Sequence, residues 1–101
     1  MSAPEAVWIG VATFEVATPG VRSLKEKRGL IVPLVERLRK RFPVSVARLA
    51  GLDRLDRETI GAVVINADPV LCRKLLERVH AFAAAFGLRV ENVRLEVERW
   101  D

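Results

Sequence analysis

The chain contains few of the residues from which catalytic and metal centres are built. Its 101 residues include one cysteine, one histidine and no tyrosine. Cys72 alone can form neither an intramolecular disulfide nor a cysteine-rich zinc site, so we expect a reducing, cytoplasmic setting. His80 has no cysteine, serine or second histidine at a spacing typical of a metal site or a catalytic triad. We therefore predict no catalytic residue, no metal and no cofactor.

Long apolar runs are also missing. The apolar segment from Val7 to Ala17 is interrupted by Thr13 and Glu15, and no segment approaches the roughly 20 apolar residues of a membrane span. We expect neither a membrane partner nor a secretion signal. Glutamine is absent, and arginine supplies 13 of the 17 cationic side chains, which favours a heat-adapted source, although a GC-rich genome would also favour arginine.

The composition that remains is typical of one globular domain. Half of the residues are apolar, and 101 residues suffice for a single core. Residues 1–5 are expected to be a loose tail. The net charge of +4 permits binding to a polyanion but does not require it.

The hydrophobic periodicity predicts four strands and two helices. Ser23 and Glu26 have the capping-box spacing that begins a helix, with the Glu26 carboxylate expected to reach the Ser23 N–H. Pro33 should bend this helix without ending it. A charged loop is expected at 50–58. In chain order the predicted elements are strand 7–17, helix 23–42, strand 44–49, strand 59–67, helix 68–87 and strand 88–98, with a bulge near Glu91 and Asn92 in the last strand.

This order predicts the α+β ferredoxin-like βαββαβ fold: a four-stranded antiparallel sheet with two helices on one face and the first and third strands in the centre. Two helices cover only one face of such a sheet, so an apolar surface remains open. We expect a homodimer through this face, with four residues of the first strand as interface candidates: Val7, Ile9, Val11 and Thr13.

The first helix and the turn before it carry most of the chain's candidate polyanion contacts: Arg22, Lys25, Lys27, Arg28, Arg39, Lys40 and Arg41. Because cations spread around the whole polar face of the helix, an ordinary solvated helix remains an alternative. An RNA-recognition motif would share the topology, but the third strand lacks the aromatic residues that stack bases. The turn from Gly20 to Ser23 could hold an anion, as in acylphosphatases, yet the fuller motif of those enzymes is absent.

The segments Pro19–Gly20, Ser23–Arg28, Leu38–Phe42 and Val44–Ala47 resemble the YlxP-like family, a bacterial domain of unknown function. The resemblance extends from Trp8 to Val97 and implies the same ferredoxin-like fold. Arg48 stands where an acidic residue is usual in that family. Because such proteins are often encoded beside translation genes, the resemblance also implies an accessory role around RNA or the ribosome.

Two functions therefore follow from the sequence. The preferred one is a non-enzymatic, RNA- or ribosome-associated accessory protein that binds through its basic first helix. The alternative is a homo-oligomeric protein-interaction or small-ligand-binding module without a nucleic-acid role. Salt dependence separates the two, because phosphate contacts weaken steeply as salt rises and apolar contacts do not.

Overall fold

Two capped helices and four strands follow one another in the order that the periodicity predicts. The structure, a computed structural model, describes residues 6–100, so the tail predicted at residues 1–5 lies outside the described residues. The elements are β1 (Trp8–Ala17), α1 (Leu24–Arg41), β2 (Ser45–Ala50), β3 (Arg57–Asn66), α2 (Pro69–Ala85) and β4 (Arg89–Arg99). Most bounds differ from the predicted ones by one or two residues.

The four strands form one antiparallel sheet in the order β2-β3-β1-β4. The ferredoxin-like prediction, with the first and third strands in the centre, is confirmed. Both helices pack on the same side of the sheet, α1 mainly against β2 and α2 against β1, β3 and β4. The opposite side of the sheet, which we call the open face, carries no helix of the described chain.

The core lies between the sheet and the helices. On β1 every second residue points into it, and Ala12, Phe14 and Val16 are fully buried. Ile31, Leu34 and Leu38 of α1 and Leu76 and Val79 of α2 pack against the same layer. Leu24 and Leu71 fit the apolar periodicity of their helices but are exposed. Both lie in the first turn of their helix.

Both helix starts follow from local chemistry. The hydroxyl of Ser23 accepts from the N–H of Glu26 at 3.0 Å, and the carboxylate of Asp68 accepts from the N–H of Val70 at 2.8 Å. Pro69 occupies the first helical position, where its missing N–H removes no helical bond. As expected, α1 continues without interruption through Pro33.

The predicted bulge in the last strand is present. The register between β1 and β4 shifts between Thr13 and Glu15, which pair with Arg94 and Glu91 respectively. Asn92, within the bulge, has φ 51°, a conformation that asparagine tolerates better than most residues. The extra residue restores the alternation, so residues on either side of the bulge keep their faces.

Candidate nucleic-acid interface

The polar groups of the turn before α1 form hydrogen bonds with one another. The carboxylate of Glu26 accepts from the N–H of Arg22 at 3.2 Å, one residue earlier than the Ser23 N–H expected from the capping box. Together with the bond from Glu26 N–H to Ser23, this places two of the turn's donors in internal bonds. The acidic side chain and the occupied donors both oppose an anion at this turn, which weakens the acylphosphatase-like alternative.

Six of the seven candidate cations are exposed. Arg39 donates from Nη2 to the carbonyl of Val46 at 2.8 Å, which fixes its guanidinium beside β2. Arg41 lies over the ring of Phe82 at 5.2 Å from its centroid, within cation–π range. The exposed candidates are Arg22, Lys25, Arg28, Arg39, Lys40 and Arg41.

Lys27 is the exception, because it is buried and the prediction that it contacts a polyanion is wrong. Its side chain is 1% exposed, and its ammonium donates to the carbonyls of Gly51 at 2.7 Å and Leu52 at 3.4 Å. It also forms a salt bridge with Glu58. A buried ammonium with these partners holds the 51–57 segment against α1 and cannot reach an external phosphate.

The carboxylate of Glu58 is the centre of this buried cluster. The predicted loop at 50–58 included Glu58, but β3 begins at Arg57 and Glu58 is fully buried on the core side. Arg48 binds it with two hydrogen bonds of 2.5 and 2.7 Å. Burial alone would raise the pKa of Glu58, but hydrogen bonds from Arg48 and Lys27, together with their positive charges, outweigh it and lower the pKa below its ordinary value.

The spacing of Lys27 and Glu58 in the sequence is that of buried residues. Lys27 stands four, seven and eleven residues before Ile31, Leu34 and Leu38, which is the spacing of the buried stripe. Glu58 has the same parity as Ile60, Ala62 and Val64, which face the core. Charged residues are ordinarily expected to be exposed, and for that reason neither Lys27 nor Glu58 was predicted to be buried.

The 51–57 segment is tied to the rest of the fold by Thr18 as well. Thr18 donates from its hydroxyl to the carbonyl of Leu55 at 2.8 Å, and its N–H donates to the carbonyl of Asp56 at the same distance. Within the segment, Arg54 forms an exposed ion pair with Asp56 that lowers the pKa of that carboxyl.

Cys72 lies in the core, and the half-buried His80 lies at its edge. Cys72 is buried, and desolvation raises the pKa of its thiol. The ring of His80 lies 6.4 Å from that of Phe14. Within residues 6–100 no three histidine, cysteine or acidic side chains come together as a metal-binding group.

Positive charge is concentrated on the helices, whereas the four strands carry five cations and five carboxylates and are neutral. Helices α1 and α2 carry ten cations and three carboxylates, a net +7, whereas the rest of the chain carries seven cations and ten carboxylates, a net −3. Lys27 is buried, so the exposed cations of the two helices number nine. Besides those already named on α1, they include Arg37 of α1 and, on α2, Arg73, Lys74 and Arg78. The helical layer therefore has a basic outer surface.

The open face contains the predicted dimer candidates. The register aligns Ile9 with Ile65 and Val11 with Val63, so apolar side chains of β1 and β3 lie side by side. Val11 is 43% exposed and Ile65 is 68% exposed. Ile9 and Thr13 are half-buried, and Val7 is half-buried just before β1. The sequence pattern indicates the candidates in and just before β1 but not Val63, Ile65 or Leu49, because it leaves open which side of β3 faces the helices.

No helix within residues 6–100 is long and apolar enough to cross a membrane.

Comparisons with known proteins agree on the family and the fold. Residues 9–97 match the profile of a family described as "Protein of unknown function (DUF503)". The Uncharacterized protein YlxP of Bacillus subtilis is 32% identical over 78 residues, which span 77% of this chain and 85% of that protein. Among solved structures, the de novo designed protein Foldit4 matches with a TM-score of 0.52 and 15% identity, over 94% of this chain and 97% of the designed one. This last likeness concerns the fold alone.

Proposed function

The chain belongs to the family of proteins of unknown function DUF503, and we propose that it is a non-enzymatic accessory protein that binds structured RNA through its basic helical layer. The observation that carries the proposal is the division of charge, net +7 on the helices against −3 elsewhere. A cationic surface neutralises backbone phosphates and releases their counterions, which gives affinity without sequence readout. The single cysteine is consistent with a cytoplasmic setting for this activity.

The helical layer suits RNA better than the open face does. Sheet-based recognition requires aromatic rings on the central strands, and Trp8 and Phe14 of β1 alternate with the open-face residues instead of joining them. The open-face positions of β1 and β3 carry Ile9, Val11 and Val63, among others, which cannot stack on bases in that way. The phosphate backbone of a folded RNA is therefore the ligand that the exposed cations fit.

Ribosomal RNA is the probe we would use first, since the accessory role implied by the YlxP-like resemblance concerns translation. A labelled, structured fragment of ribosomal RNA is titrated with the protein at several salt concentrations. We expect micromolar affinity whose logarithm falls linearly with the logarithm of salt, with a slope of about −0.7 to −0.9 for each phosphate neutralised.

The test variant removes three exposed cations of α1 in the combination K25A/R28A/K40A. Lys27 is kept because its loss would damage the fold. The matched control, R54A/R57A/R89A, removes the same charge from the 51–57 segment and β4. Weaker binding and a shallower salt slope in the first variant alone would support the proposal. Equal losses in both variants, or no binding by the native chain, would refute it.

A further inference from the structure

The open face is a self-complementary surface, and we propose that two copies of the chain pack on each other through it about a two-fold axis that crosses the strands at the row of Val11 and Val63. The proposal concerns the sheet and is independent of RNA binding by the helices. Its basis is the arrangement of side chains that the strand register fixes on this face.

Three rows of side chains cross the centre of the open face. The middle row contains Glu96, Val11, Val63 and Ser45; the row on one side contains Glu98, Ile9 and Ile65; the row on the other side contains Arg94, Thr13, Gly61 and Ala47. The first outer row protrudes, because Ile65 is the most exposed large apolar side chain within residues 6–100. In the second outer row glycine and alanine leave little above their own backbone, and the side chain of Leu49 covers Gly61.

A depression of about 150 Å³ lies beside this row. Leu49 bounds it, and a Cβ on Gly61 would collide with the Cδ1 atom of Leu49. The remaining walls come from Val11, Val63 and the small side chains of β2. Leu49 is 53% exposed, so this apolar wall is itself left in water in the isolated chain.

A two-fold axis along the middle row places each outer row of one copy opposite the other outer row of the second copy. Ile65 of one copy then faces Leu49, which covers Gly61, and the adjoining depression of the other copy, so a protruding apolar side chain meets an apolar wall and the recess beside it. The same operation brings Glu98 opposite Arg94 of the partner, so the charged edge strands meet with opposite sign. Arg94 also holds Glu96 of its own chain at 2.8 Å, which neutralises the acid nearest the axis.

The area agrees with what a stable dimer requires. The four strands contain 37 residues in all, and at about 3.3 Å per residue and about 4.8 Å between strands the open face measures about 600 Å² per copy. Two such faces bury about 1,200 Å², the lower end of standard specific interfaces. Sheets that stack face to face at about −30° bury inner faces of this kind. A second copy is thus an occupant of the right size and chemistry.

The experiment is sedimentation equilibrium of the full chain over a roughly hundredfold range of concentration. We expect a reversible dimer in the native chain. Ile65→Asp should raise the dissociation constant by at least about 100-fold, because the dimer carries the substitution twice. The matched control is Val70→Asp, which places the same charge on an apolar side chain of α2 that is 56% exposed, and it should leave the dimer unchanged.

A second set of variants tests the register and does not depend on Ile65. Arg94→Glu should weaken the dimer about threefold to tenfold, and the exchange R94E/E98R should restore it, since each charge then meets its opposite across the axis. A monomer at every concentration would overturn the proposal. So would a dimer that survives Ile65→Asp, or one that Arg94→Glu weakens and the exchange does not restore.

Discussion

The ammonium nitrogen of Lys27 lies 3.1 Å from Oε1 of Glu58, and both side chains are almost completely withdrawn from solvent. This pair joins the first turns of α1 to the start of β3, at the point where the 51–57 segment rejoins the sheet. The residues of the Ser23–Arg28 segment therefore have different roles. Ser23 and Glu26 begin the helix, Lys27 anchors the neighbouring segment, and Lys25 and Arg28 are exposed to solvent.

Replacing Lys27 with methionine should lower the free energy of unfolding by about 3 kcal/mol. The substitution leaves Glu58 and the Gly51 carbonyl without their ammonium partner, and removing one member of a buried ion pair is strongly destabilising. Arg48 still binds Glu58, which limits the loss. Urea denaturation measures the effect, and Lys25→Met, at an exposed position two residues away, should change stability by no more than about 0.5 kcal/mol. Equal effects of the two substitutions would contradict a structural role for Lys27.

Acid should destabilise the protein through Glu58. Its pKa is lowered in the folded state, so its ionised form favours folding. That contribution is complete above the pKa of an unfolded glutamate, about 4.3, and is lost as the pH falls through the lower, folded value. Urea denaturation between neutral pH and about pH 3 should therefore show stability falling in the acid range, and Glu58→Gln should flatten this decline.

The control for the acid prediction is Glu77→Gln on the exposed side of α2. It should leave the shape of the pH profile unchanged. An exposed carboxyl such as Asp56, whose pKa is also lowered by Arg54, contributes little because solvent screens its ion pair. A decline that remains as steep in Glu58→Gln as in the native chain would show that Glu58 does not cause it.

The fold was predictable because it depends on local patterns that the sequence displays openly. Ser23, Asp68 and Pro69 mark the helix starts, and the nearly continuous apolar run that contains Phe14 marks a central strand. The buried cluster was missed because its members are charged, and pairing across α1, β2 and β3 is a long-range relationship that no single segment contains. The division between recess and protrusion on the open face likewise requires the register of three strands.

Charge reversal on α1 should strengthen RNA binding if the helical layer is the interface. Glu36 is exposed on α1 among the candidate cations, so Glu36→Lys replaces a repulsive group with an attractive one. We expect tighter binding and a steeper salt slope, by about 0.7 to 0.9 for a new phosphate contact. Asp53→Lys makes the same change of charge in the 51–57 segment. If it strengthened binding as much, net charge rather than the helical layer would be responsible.

Two glycines should respond in opposite directions to alanine. Gly29 lies in the interior of α1 with open space where a Cβ would stand, so Gly29→Ala should raise the free energy of unfolding by about 0.5–1 kcal/mol through the better helix propensity of alanine. Gly10 allows α2 to approach β1: a Cβ there would lie 2.7 Å from Cδ1 of Leu76 and 3.3 Å from Cβ of Cys72.

Gly10→Ala should therefore lower the free energy of unfolding by about 1–3 kcal/mol, the usual cost of overpacking. The Leu76 methyl can move aside, but the Cys72 Cβ is fixed to the helix backbone, so α2 itself must shift. Both variants are compared by urea denaturation under one set of conditions. A neutral Gly10→Ala would mean that the helix yields easily at this contact, and the close packing of α2 on β1 would then contribute little to stability.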